Sequence, residues 1–118
     1  MPVFSPLAAE PYALGFETIY EGYLVHYGRP RLFAPTSDHQ AILLGDYLYA
    51  EGLVRIAATG DIDAVAALAE LISTCAALRA EGSGGDGEEW VAAARRLAGD
   101  PTHDEVARAL ATHALLVD

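Results

Sequence analysis

Apolar residues recur along this chain at helical spacing far more than at strand spacing. The longest such run is Ala41 to Gly60, AILLGDYLYAEGLVRIAATG, in which Leu43, Tyr47, Ala50, Val54 and Ala57 form one stripe. Ile42, Leu44, Leu48, Leu53 and Ile56 widen that stripe nearly all round, and this predicts a buried central helix. Thr36, Ser37 and Asp38 offer N-caps for it, and Gly60 closes it. Asp46, directly after Gly45, is an ionisable residue in the middle of this pattern. A carboxylate inside such a helix needs a partner or a metal, because burying it bare is costly.

Four more helices follow from the same reading. A first helix starts near Pro11 and runs to Tyr27, with Phe16, Tyr20, Leu24 and Tyr27 in line. Gly28 and Pro30 end it. Asp61 caps a third helix with a face of Ile62, Val65, Leu68 or Ala69, Ile72, Ala76 and Arg79. The short joint Thr59-Gly60-Asp61 makes the central and third helices antiparallel neighbours. A fourth helix, EEWVAAARRLAG, turns Trp90, Ala94 and Leu97 inward. A fifth opens at the capping box Thr102-His103-Asp104-Glu105 and carries Val106, Leu110, His113 and Val117. Residues 1–10 read as an extended arm broken by prolines, and residues 81–87, EGSGGDG, as a flexible linker. The expectation is a single all-α domain, a bundle of about five helices, without strands or repeats.

Composition narrows the function classes. The hydrophobic fraction of 53% over 118 residues suits one folded domain. The formal charge is −10 and every basic residue is Arg, which argues against nucleic-acid binding. No apolar run reaches about 18 residues, so no membrane insertion is expected. The first residues lack the basic and apolar regions of a signal peptide, which suggests a cytoplasmic protein. The single Cys75 falls on an apolar helical pattern and reads as an inert core thiol.

Two groups of residues carry candidate chemistry. Glu17 and Glu21 are one helical turn apart and could hold a hard cation such as Mg²⁺, although a solvated acidic face has the same spacing. His26, Arg29 and Arg31 form the one basic group of the first half and could receive an anion such as phosphate; basic side chains capping a helix C-terminus would look alike. No His/Cys spacing suits zinc. No nucleophile elbow is present, and EGSGGDG lacks the remainder of a phosphate loop.

The central hairpin resembles the trans-isoprenyl (polyprenyl) diphosphate synthases. Ala41-Ile42-Leu43-Leu44-Gly45-Asp46-Tyr47-Leu48 is similar to that family's A-x-L-x-G-D-x-L signature, and Leu78 to Gly82, LRAEG, is loosely similar to its later Glu-Gly-Glu segment. Upstream, His26-Tyr27-Gly28-Arg29-Pro30 stands where the family has Arg-Arg-Gly-x-Pro. Glu17-Thr18-Ile19-Tyr20-Glu21 stands where it ends its first aspartate-rich motif. The resemblance covers about residues 12–82 and implies part of an isoprenoid-synthase fold. It also implies Mg²⁺ on Glu17 and Glu21, diphosphate near His26, Arg29 and Arg31, and dimerisation through this region. Asp46, following Gly45 in that signature, is then a structural acid hydrogen-bonded at a helix–helix contact.

The departures from the family pattern shape the functional expectation. Thr18 replaces an acid, and His26 and Tyr27 replace two arginines. After Trp90 only Asp100, Asp104 and Asp118 remain, without a second aspartate-rich motif. The reading is a non-catalytic binding or regulatory subunit with no confident catalytic residue, forming a homo-oligomer or pairing with a full-length prenyl synthase. The alternatives are a Mg-dependent prenyltransferase active only when assembled and a carrier of an apolar ligand.

Overall fold

The computed structural model describes residues 1–117. Among them are five α-helices and no strand: α1 Ala13–Tyr27, α2 Asp38–Ala57, α3 Ile62–Ala80, α4 Asp86–Arg96 and α5 His103–Val117. The all-α expectation therefore stands. No helix of the described residues is long and apolar enough to cross a membrane. The caps read from the sequence are formed. The Ser37 hydroxyl accepts from the Gln40 N–H at 3.1 Å, and Asp61 accepts from the Ala64 N–H at 3.0 Å. Thr102 and Glu105 cap one another reciprocally at 3.0 and 3.1 Å.

The helix at the centre is α1, not α2. Gly15, Phe16 and every residue from Ile19 to Val25 are buried. They meet α2 on one side and α3, α5 and the N-terminal arm on others. The α1–α2 contact runs through glycines. Gly15 lies against Gly52 and Ile56, and Gly22 lies against Gly45 and Leu48. Glycine at these four places lets the two backbones approach closely. That explains why α1 tolerates residues of poor helix propensity.

This contact also overturns the expected orientation of α2. Its buried residues are Gly45, Leu48, Gly52 and Ile56. The stripe Leu43, Tyr47, Ala50, Val54 and Ala57 faces solvent instead. Leu43, Tyr47 and Val54 are 58, 62 and 63% exposed. The α3 face is displaced in the same manner: Ala64, Ala67, Leu68, Leu71 and Cys75 are buried, whereas Ile62 and Ala76 are exposed.

The arm is part of the core. Val3, Phe4 and Leu7 are buried, with two 3-10 turns at Ser5–Leu7 and Glu10–Tyr12. The Phe4 ring lies 5.9 Å from Trp90 in a stacked arrangement and 5.2 Å edge-on from Tyr20. The Ala9 N–H bonds the Leu97 carbonyl at the end of α4. The supposed linker is also shorter than expected. Gly85, at φ +94°, starts α4, so Asp86 and Gly87 are helical and buried.

Candidate functional site

Glu17 and Glu21 come together as their spacing requires, and the space between them is taken by Arg31. The Arg31 Nε donates to Glu21 Oε1 at 2.9 Å, and its terminal nitrogen donates to Glu17 Oε2. Glu21, only 2% exposed, accepts further bonds from the backbone N–H groups of Arg31 and Leu32 at 2.7 and 2.9 Å. Glu17 accepts from the N–H groups of Val3 and Ser5 at 3.3 and 3.2 Å. The Arg31 guanidinium also donates to the Met1 carbonyl and lies 5.1 Å from the centre of the Tyr20 ring. Burial by itself would lower the Arg31 pKa; the charges and hydrogen bonds of Glu17 and Glu21 outweigh it and leave the pKa raised.

This clamp leaves the two carboxylates a poor fit to a divalent ion. Both Glu21 oxygens already accept, and a guanidinium sits at the position a cation would take. The clamp forms part of the lining of a groove of about 270 Å³, completed by Leu14, Leu32, Phe33 and Leu48 with Thr18, Glu51 and Arg55.

The three basic residues of the first half are not brought to one place. Arg31 is held by the glutamates. Arg29 turns to the end of α5, where its guanidinium donates to the Leu115 carbonyl at 3.0 Å and its N–H to Leu116. His26 lies on Gly45, with Nε2 3.3 Å from the Ile42 carbonyl and 3.5 Å from Asp46 Oδ1. Asp46 does meet α1 across the α1–α2 contact, through His26. It is not the buried acid its helical pattern suggested, for its side chain is 66% exposed.

A second polar centre, more deeply buried, lies elsewhere, in residues the sequence reading did not select as a site. Asp86 accepts from the Tyr23 hydroxyl, from Arg79 Nε at 2.9 Å and from His113 Nε2 at 3.3 Å. Arg79 also donates to the Tyr23 hydroxyl at 2.6 Å, and the Tyr20 hydroxyl lies 2.7 Å from His113 Nδ1. With Asp86 ionised, one tautomer satisfies the set. His113 carries its proton on Nε2 and accepts from Tyr20 on Nδ1. Burial opposes the Asp86 charge, but the bonds from His113 and Tyr23 and the Arg79 charge outweigh it and hold the carboxyl well below the usual range. Burial raises the Tyr20 and Tyr23 phenols, so both stay protonated.

The network joins α1, α3, α4 and α5. Its hydroxyls and imidazole are enclosed, so it serves cohesion and offers no nucleophile to a substrate. The clue available in the sequence was Asp86 immediately before Gly87-Glu88-Glu89-Trp90, an acid suited to a first helical turn. Four glycines in the same segment masked it. No protein-family model, no curated protein and no solved structure matches this chain.

Proposed function

We propose that this chain is a non-catalytic, polyprenyl-diphosphate-synthase-like helical subunit that acts by docking to another protein surface. One observation carries the reading. Arg31 pairs with both Glu17 and Glu21 from within the chain, at the place where the resemblance would put Mg²⁺. A diphosphate would also find no convergent cations, because His26, Arg29 and Arg31 bond in three separate places. Support for docking comes from the outer face of α2, where Ile42, Leu43, Tyr47 and Val54 are exposed together.

The groove beside the clamp favours a second reading. Its apolar lining of Leu14, Leu32, Phe33 and Leu48 would suit a prenyl chain, as in a Mg-dependent prenyltransferase active only when assembled or a carrier of an apolar ligand. One assay separates these readings. The purified protein is incubated with Mg²⁺, isopentenyl diphosphate and an allylic diphosphate. The docking reading expects no chain elongation. Elongation that disappears in Glu17→Ala would establish the prenyltransferase instead. An apolar lipid that co-purifies with the wild-type protein, and is lost in Leu32→Glu, whose side chain is exposed at the groove, would establish the carrier.

A further inference from the structure

We propose that the cleft between the C-terminal end of α1 and the first turn of α2 binds a small organic ammonium ion, a monocation with a short apolar body. The cleft is separate from the clamp of Arg31 on Glu17 and Glu21, and the proposal is independent of the docking reading.

Room is the first requirement. A cavity of about 420 Å³ is lined by His26 and Tyr27 of α1 and by Asp38, Ala41 and Ile42 of α2. That size falls within the range of small-molecule sites. One wall is already fixed. The His26 ring rests on Gly45, where a Cβ would collide with it. It also meets Tyr27 and Tyr49 edge-on, with ring centres 5.6 and 5.1 Å away.

Polarity sets the charge of the ligand. Asp38 lines the cleft, and Asp46 lies 3.5 Å from His26 at its edge. Both acids are exposed. Among the described residues no arginine lines the cleft or pairs with either acid. Arg29 is spent on the Leu115 carbonyl, and Arg79, 5.9 Å from the centre of the Tyr27 ring, is paired with Asp86. A proton on His26 Nε2 points to the Ile42 carbonyl at 3.3 Å, so it is not free for an anion. An anion would meet two carboxylates in a chain of charge −10, whereas a cation is drawn to them.

The remaining walls choose among cations. A metal ion is a poor fit, because among the described residues no three carboxylate, imidazole or thiol side chains converge. Ala41, Ile42 and the Tyr27 ring offer apolar surface, which suits an alkyl or aryl body behind the ammonium group.

The test uses the full chain, with n-hexylammonium chloride as the probe in about 0.15 M sodium chloride. The backbone amide signals of Ala41 and Ile42 should shift and saturate. Asp38→Asn and Asp46→Asn should each weaken binding roughly two- to fivefold, as expected for exposed ion pairs. Asp63→Asn removes an exposed acid at the far end of the α2–α3 hairpin and should leave the affinity unchanged. Uncharged n-hexanol should bind more weakly than the amine, and inorganic phosphate should leave both signals in place. Shifts that do not saturate, an equal loss in Asp63→Asn, equal binding of n-hexanol, or phosphate-induced shifts at these amides would each overturn the proposal. Prenyl-chain elongation that requires Glu17 would overturn the non-catalytic reading alone.

Discussion

Gly22 on α1 and Gly45 on α2 touch so closely that a Cβ on Gly22 would stand 3.0 Å from the Gly45 carbonyl oxygen. Seven residues away on each helix the contact repeats. A Cβ on Gly52 would stand 2.9 Å from the Gly15 oxygen and 2.4 Å from Ile19 Cγ1. Two antiparallel helices are thus joined at two points by paired glycines.

Gly52→Ala is therefore expected to destabilise the protein although alanine is the better helix former. Overpacking a tight contact costs roughly 1–3 kcal/mol. The propensity gain returns about 1 kcal/mol at most. The urea midpoint should fall while its slope stays the same. A midpoint equal to or above the wild type would mean that the helices separate without penalty.

Asp86 should leave a signature in acid. Its carboxyl titrates lower in the folded chain than in the unfolded one, where about 3.9 is usual. Its contribution is complete above pH ~4 and is lost as pH falls from there toward the folded value. Asp86→Asn should cost roughly 2–3 kcal/mol at pH 7, because Arg79, Tyr23 and His113 lose an ionised acceptor. The gap between variant and wild type should narrow at pH 3. Urea unfolding at the two pH values measures it, and an equal gap at both would remove Asp86 from the acid response.

Ala98 holds a left-handed conformation, φ 61°, at the end of α4, where the Gly99 N–H closes back on the Ala94 carbonyl. Ala98→Gly should relieve that conformation and raise stability by about 0.5–1 kcal/mol after the added freedom of the unfolded chain is counted. The same change at Gly99 in reverse is forbidden, since a Cβ there would meet the Leu7 carbonyl at 1.9 Å. Thermal melts of Ala98→Gly decide the point; a lower melting temperature would contradict it.

Cys75 should be silent to thiol reagents. Burial pushes its thiol up to about 12, so almost no thiolate exists at pH 8. Ellman's reagent is expected to react with none of the native protein within minutes and with one equivalent in urea. Rapid reaction of the native chain would show that α3 opens readily.

The number and caps of the helices were legible in the sequence because caps are local: Ser37, Asp61 and the Thr102–Glu105 pair act within three residues of themselves. Which way a helix faces is a different kind of fact. On α2 the hydropathy pattern favoured Leu43, Tyr47 and Val54, but close approach through Gly45 and Gly52 decided the contact and left those larger residues outside. Glycine has little weight in an apolar count, so α1 lost its place as the central helix for the same reason. Glu17 and Glu21 were legible as a pair. Their partner Arg31 was grouped with His26 and Arg29, because adjacency in sequence does not reveal that Pro30 and the following turn carry it back along α1. Asp86 was hidden by glycines that look like a linker and in fact precede a helix.

Phe4 and His113 stand 5.4 Å apart, ring to ring, although they lie 109 positions apart in the sequence. The aromatic centre of the molecule therefore joins the tyrosines of α1 to rings far away in sequence. During synthesis Phe4 leaves the ribosome first and finds its neighbours Trp90 and His113 only after α4 and α5 have followed. Until then Tyr20 and Tyr23, stacked on one another within α1, lack the edge contacts of Trp90 and Tyr23 lacks its acceptor Asp86. The core stays unsealed until α5 is made, and closure of the long loop between Phe4 and His113 is the step that completes it.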